Sequence, residues 1–158
     1  MNAARALGLG LALAGAAALV PATPRAESPD PEAAIARQVE LLERAGWGDP
    51  AAFRQAYALT SARHRSLTGP LPRFVHTLRV LYTPLLEPHL GLDFFPIHVA
   101  GDVAEQRVTV RLLDGVQYDY VFRVRRRLSA QCPGCWYTDG IYEVEPSSPD
   151  GLADGRLS

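Results

Sequence analysis

Near Phe94 the spacing of apolar residues changes from that of a helix to that of a strand, which divides the chain into a helical half and a sheet-forming half. Before that point, Asp30-Pro31 puts an N-capping carboxylate ahead of a residue whose missing N–H costs a helix nothing, and Ile35, Val39 and Leu42 follow at helical spacing. The pattern predicts a first helix from about Pro31 to Ala45, stopped by Gly46 and Gly48. Asp49-Pro50 repeats the cap for a second helix with Phe53, Ala56 and Tyr57 on one side. Gly69-Pro70 breaks the chain again. Phe74, Leu78, Leu81 and Leu85 then predict a third amphipathic helix, ending near Pro84 to Pro88. Beyond it, Phe95, Ile97 and Val99 alternate, as do Gln106, Val108, Val110 and Leu112. The same holds for Tyr118, Tyr120, Phe122 and Val124, and for Trp136, Thr138 and Tyr142. The fold expected is α+β: three N-terminal helices packed on a curved, antiparallel, four-stranded sheet.

The first hairpin allows its register to be derived. A two-residue Asp114-Gly115 turn would pair Val110 with Asp119 and mix both faces. A three-residue loop with Gly115 in the left-handed region instead pairs Leu112 with Val116, Val110 with Tyr118 and Val108 with Tyr120. One face is then apolar, and the other sets Glu105 opposite Arg123 and Thr109 opposite Asp119. The longer loop is therefore expected.

The two ends of the chain read differently from its middle. Residues 1–26 begin with Arg5, run uncharged from Ala6 to Val20 and close on small residues, the pattern of a secretory signal peptide cleaved after Ala22 or Ala26. The apolar run is shorter than the roughly 20 residues that span a bilayer. Residues 27–146 are expected to form a single α+β domain, and residues 147–158, rich in Ser, Pro, Gly and Asp, a disordered tail. The compartment expected is periplasmic or secreted, with no stable membrane insertion after cleavage. All 16 basic residues are Arg, against 17 acids. Loss of Arg5 and Arg25 with the leader leaves acids in excess, which gives no global attraction for nucleic acid.

Cys132-Pro133-Gly134-Cys135 lies between the last two strands, and the chain has no other cysteine. In an exported protein the pair reads as a structural disulfide. The redox alternative, a Cys-x-x-Cys active loop, ordinarily sets its first Cys at a helix N-terminus, whereas a strand follows here. The run Arg123, Arg125, Arg126 and Arg127 reads either as an anion-binding patch or as a solvated strand face already partnered by Glu105 and Asp119. His64, His76, His89 and His98 show no metal-ligand spacing, so no metal and no cofactor is expected. Ser61 and Ser66 lie near His64, without a Gly-x-Ser-x-Gly elbow or an identifiable orienting acid. A cavity between helices and sheet is the remaining candidate site, lined by Tyr118, Tyr120, Phe122 and Trp136 with His98 or Asp102 at its rim.

A further set of landmarks runs through both halves: Gln38, Asp49, Ala52-Phe53, Thr68-Gly69-Pro70, Arg73-Phe74, Tyr82, Leu85-Leu86, Gln106-x-Val108-x-Val110, Gly115, Tyr118-x-Tyr120 and Cys135-Trp136-x-Thr138-Asp139-Gly140-Ile141. In their order the chain resembles an uncharacterised family of the nuclear-transport-factor-two-like, or cystatin-like, superfold. It departs from that family at Ala56-Tyr57-Ala58, where an Ala-Ser-Pro step is usual. The resemblance implies helices covering a strongly curved, cone-like sheet, and a homodimer through a sheet face as one assembly. It implies no particular activity, because the superfold holds binding modules as well as isomerases and dehydratases. Two functions follow as expectations. One is a non-catalytic module that binds a small molecule or a protein. The alternative is a proton-transfer enzyme in which Tyr118 or Tyr120 polarises a substrate oxygen and Asp102 or His98 moves the proton. That alternative needs a carboxylate or His within hydrogen-bond reach of a tyrosine, facing an open cavity.

Overall fold

The structure, a computed structural model, describes residues 28–128 and 132–144. The expected leader and the expected tail lie outside the described residues. Among those residues the chain forms α1 (Pro31–Gly46), α2 (Pro50–Ala58), α3 (Ala62–Thr68), α4 (Leu71–Leu81) and a short 3-10 turn (Thr83–Leu85). Five strands follow: β1 (His89–Phe94), β2 (His98–Ala100), β3 (Val103–Leu112), β4 (Gln117–Leu128) and β5 (Pro133–Val144). The fold is α+β with an antiparallel sheet that does not close on itself.

The helix starts are set by the residues that predicted them. The Asp30 carboxylate accepts from the main-chain N–H groups of Glu32 and Ala33 at 3.2 and 3.3 Å, and Asp49 accepts from Ala51 and Ala52 at 2.9 and 3.3 Å. At the far end of α1, a Cβ on Gly46 would lie 1.7 Å from the Leu86 carbonyl oxygen. Glycine is thus required there by close approach. α1 lies across β3, β4 and β5 and buries Ile35, Gln38, Val39, Leu41 and Leu42 between the sheet and its neighbouring helices, while α2 packs on α1 and α4.

Two numbers in the expectation are corrected: there are four helices rather than three, and five strands rather than four. α3 escapes a reading by periodicity because it buries no side chain and so carries no apolar stripe. Its one local signal is the Ser61 hydroxyl, which accepts from the His64 N–H at 3.0 Å. β1 falls just after the prolines that mark the end of the helical half, and it contributes little to the core. The alternation Phe95, Ile97, Val99 is not one strand either. Pro96 has no N–H to give a ladder, so the edge breaks into β1 and a three-residue β2, both paired to β3. The Gln106 side chain fills that break, its amide donating to the Phe95 carbonyl at 2.8 Å.

The sheet order is β1-β3-β4-β5. The β3–β4 hairpin has the derived register: Val110 faces Tyr118, Val108 faces Tyr120, Glu105 faces Arg123 and Thr109 faces Asp119. Gly115 has φ 87°, and the Leu112 N–H donates to the Val116 carbonyl at 2.9 Å, closing the three-residue loop. β5 would be a bare edge, but two segments cover it. Trp136 N–H donates to Ser28, Thr138 N–H to Leu59, and Ser61 N–H to the Thr138 carbonyl.

Candidate functional site

The site is built on an irregularity in β5. Val124 faces Thr138 and Arg123 faces Gly140, so Asp139 is an extra residue with no partner in β4. Such a bulge re-aims the side chain of the residue it inserts. Here it delivers a carboxylate into contact with the start of α3. One carboxylate oxygen accepts from the Ser61 hydroxyl at 2.6 Å. The other accepts from Arg125 Nε at 3.3 Å and from Arg63 Nη1 at 3.4 Å. The Asp139 side chain is fully buried, whereas those of Arg63 and Arg125 are 60% and 46% exposed. Burial alone would push this carboxyl up. The Ser61 hydroxyl and the two guanidinium groups outweigh it and hold Asp139 below the usual carboxylate range.

Above Asp139 lies an open cleft of about 210 Å³, lined by Ser61, Ala62, Arg63, Arg125, Arg126, Arg127, Tyr137 and Asp139. Strand alternation puts Arg125 and Arg127 on one face of β4, and Tyr137 is directly opposite Arg125 in β5. Arg126 points the other way. It forms a double hydrogen bond to Asp102, Nε at 2.9 Å and Nη2 at 2.7 Å, and lies over the Trp136 ring. Cys132 and Cys135 form a disulfide pair beside this end of the strands, with Cα atoms 5.6 Å apart and Cys135 facing Arg127.

Ser61, His64 and Asp139 come together, but not as a nucleophilic relay. Ser61 donates directly to Asp139 and accepts from the His64 main chain, so no imidazole stands ready to take its proton. A carboxylate held below its ordinary range is also a weak base. Burial lowers the His64 pKa, with the Asp139 carbonyl and carboxylate opposing. This arrangement holds charge in place and presents guanidinium groups outward.

The candidate pocket expected inside the fold is distributed otherwise. Tyr120 and Phe122 are fully buried core residues, Trp136 is buried with its indole N–H on the Pro29 carbonyl at 3.0 Å, and Tyr118 is half-buried. Burial, with Glu143, Tyr118 and Tyr82 adding to it, pushes the Tyr120 phenol far above its ordinary range. His98 and Asp102 are exposed at the β2–β3 end of the sheet. His98 faces Glu105, and Asp102 is six residues, about 20 Å of strand, from the position opposite Tyr120. Tyr120, Phe122 and Trp136 belong to one core cluster with Tyr118 packed against it; Asp102 reaches Trp136 only through Arg126, and neither it nor His98 stands beside Tyr118 or Tyr120 in the strand register. Among the described residues no cluster of His, Cys, Asp and Glu could hold a metal ion, and no helix is long and apolar enough to cross a membrane.

The sequence displays the arginines, and Ser61 beside His64 with no acid near it in the chain. The acid is Asp139, 78 residues away in sequence. Its only advance signal was its place in the Trp136–Ile141 string. No protein-family model, no curated protein and no solved structure matches the chain.

Proposed function

We propose that the chain is a non-catalytic binding module of the periplasm or the extracellular space, and that its contact site is the arginine-lined cleft over the β5 bulge, which takes an anion. One observation carries this reading. The single carboxylate in the cleft is already satisfied by three donors, so guanidinium groups remain in surplus around an open space. A cone-like sheet of the nuclear-transport-factor-two-like kind agrees with helices lying on one face of an antiparallel sheet, which leaves the other face for contact. The disulfide pair suits an oxidising compartment. The proton-transfer alternative draws no support from Asp102 or His98, which are exposed and away from Tyr118 and Tyr120.

The test is native mass spectrometry of the protein purified from its exported compartment. An acidic small molecule should be retained, and substituting Arg125→Gln should release it. Retention of a neutral or basic molecule, or of nothing, would overturn the reading.

A further inference from the structure

Resting on the reading that the cleft takes an anion, we infer that the group it accepts is a phosphate monoester carried on a flat apolar body, not a carboxylate. The charge count comes first. Three guanidinium groups, of Arg63, Arg125 and Arg127, face the cleft together with one carboxylate, Asp139, while that of the fourth lining arginine, Arg126, is turned to Asp102. Two positive charges are left uncompensated. A monocarboxylate leaves one of them standing, whereas a phosphate monoester carries about −1.5 to −2 near neutral pH.

The donors also suit a tetrahedral group. Arg125 gives Nε to Asp139 and keeps both Nη groups, and Arg127 has no ion pair among the described residues. These two side chains leave the same face of β4 about 7 Å apart at their origins. Three terminal phosphate oxygens can be shared between two such forks, while the two oxygens of a planar carboxylate match a single fork. The remaining lining is Ser61, Ala62 and the largely buried Tyr137, and arginine side chains themselves pair favourably with the face of a ring. The cleft has the liquid volume of about seven waters. A phosphate group and part of one ring fill it, and the rest of the ligand extends outward.

Titration calorimetry at physiological salt with phenyl phosphate, inorganic phosphate and benzoate tests the inference, using the full mature chain and the exposed-site variants Arg127→Gln and Arg63→Gln. Melting curves check that both variants are folded. Phenyl phosphate should bind at least tenfold more tightly than benzoate and severalfold more tightly than inorganic phosphate. Each variant should weaken it about tenfold. Benzoate equal to phenyl phosphate would overturn the phosphate assignment and leave the anion cleft standing. Inorganic phosphate equal to phenyl phosphate would remove the apolar body. If none of the three binds, or neither variant weakens binding, the anion cleft itself is overturned.

Discussion

The two faces of the β3–β4–β5 sheet are made by the same strands and treat their polar groups in opposite ways. On the inner face Tyr120, Phe122, Val108, Val110 and Val124 are fully buried under α1. Polar atoms caught in that core are left over. The Tyr120 hydroxyl, both polar atoms of the Gln38 amide and the Gln106 carbonyl oxygen have no hydrogen-bond partner among the described residues. On the outer face polar groups are matched strand by strand: Asp93 with Arg111, Glu105 with Arg123 and Asp139 with Arg125 as ion pairs, and the Thr109 hydroxyl with Asp119 as a hydrogen bond. The inner face is close-packed and holds four of the five buried unpartnered polar atoms among the described residues, while the outer face leaves only Arg111 Nε unmade and still has arginine to spare. Function on this reading belongs to the side with the surplus, because recognition needs groups that folding has not consumed.

The largest expected effect is on the inner face. Phe122→Ala removes a fully buried ring and should cost about 3–5 kcal/mol in chemical denaturation. A loss below about 1 kcal/mol would mean that the inner face is not the packed side. Next is Asp139→Asn, which keeps the shape of the bulge but withdraws the charge from Ser61, Arg63 and Arg125. It should cost about 2–3 kcal/mol.

The pH dependence sharpens that second prediction. Because the folded-state pKa of Asp139 lies below its ordinary value, its stabilisation is complete above the ordinary carboxylate range. It is lost as pH falls through the lowered value. The stability gap between wild type and Asp139→Asn should therefore shrink below about pH 4, measured by denaturant midpoints across pH 2–7. A gap that widens on acidification would contradict the assignment.

Smaller effects separate the faces further. Tyr120→Phe deletes a hydroxyl that has no partner among the described residues and should leave stability unchanged or raise it by up to about 1 kcal/mol. A clear loss would reveal a partner for that hydroxyl. Arg127→Gln, on the exposed side, should change stability by less than about 0.5 kcal/mol in the same assay while weakening anion binding about tenfold.

What could be read in advance follows the range of each interaction. The caps at Asp30 and Asp49 act within three residues, and the Gly115 hairpin is decided by parity within one short segment, so both were legible. α3 lacks an apolar stripe and was invisible to periodicity, whereas β1 carries the short alternation Leu90, Leu92, Phe94 directly after the prolines that end the helical half. Tyr120, Phe122 and Trp136 were expected to line a cavity and are buried in the core, because an alternating pattern tells which residues share a face and not whether that face is filled. The cleft was the hardest part. It depends on a bulge, which exists only in the pairing of β5 with β4, and on a contact between Ser61 and Asp139 that no local pattern announces. The arginines were in view from the start, and what was missing was the one carboxylate that organises them.

The most direct test of the account is a proton–nitrogen NMR titration of the folded protein with inorganic phosphate at constant ionic strength. The account predicts that saturable shift changes are confined to residues 61–63, 125–127 and 137–139, around the β5 bulge. Changes centred on Tyr118, Tyr120 and Phe122, with residues 125–127 unmoved, would place binding on the inner face and contradict it.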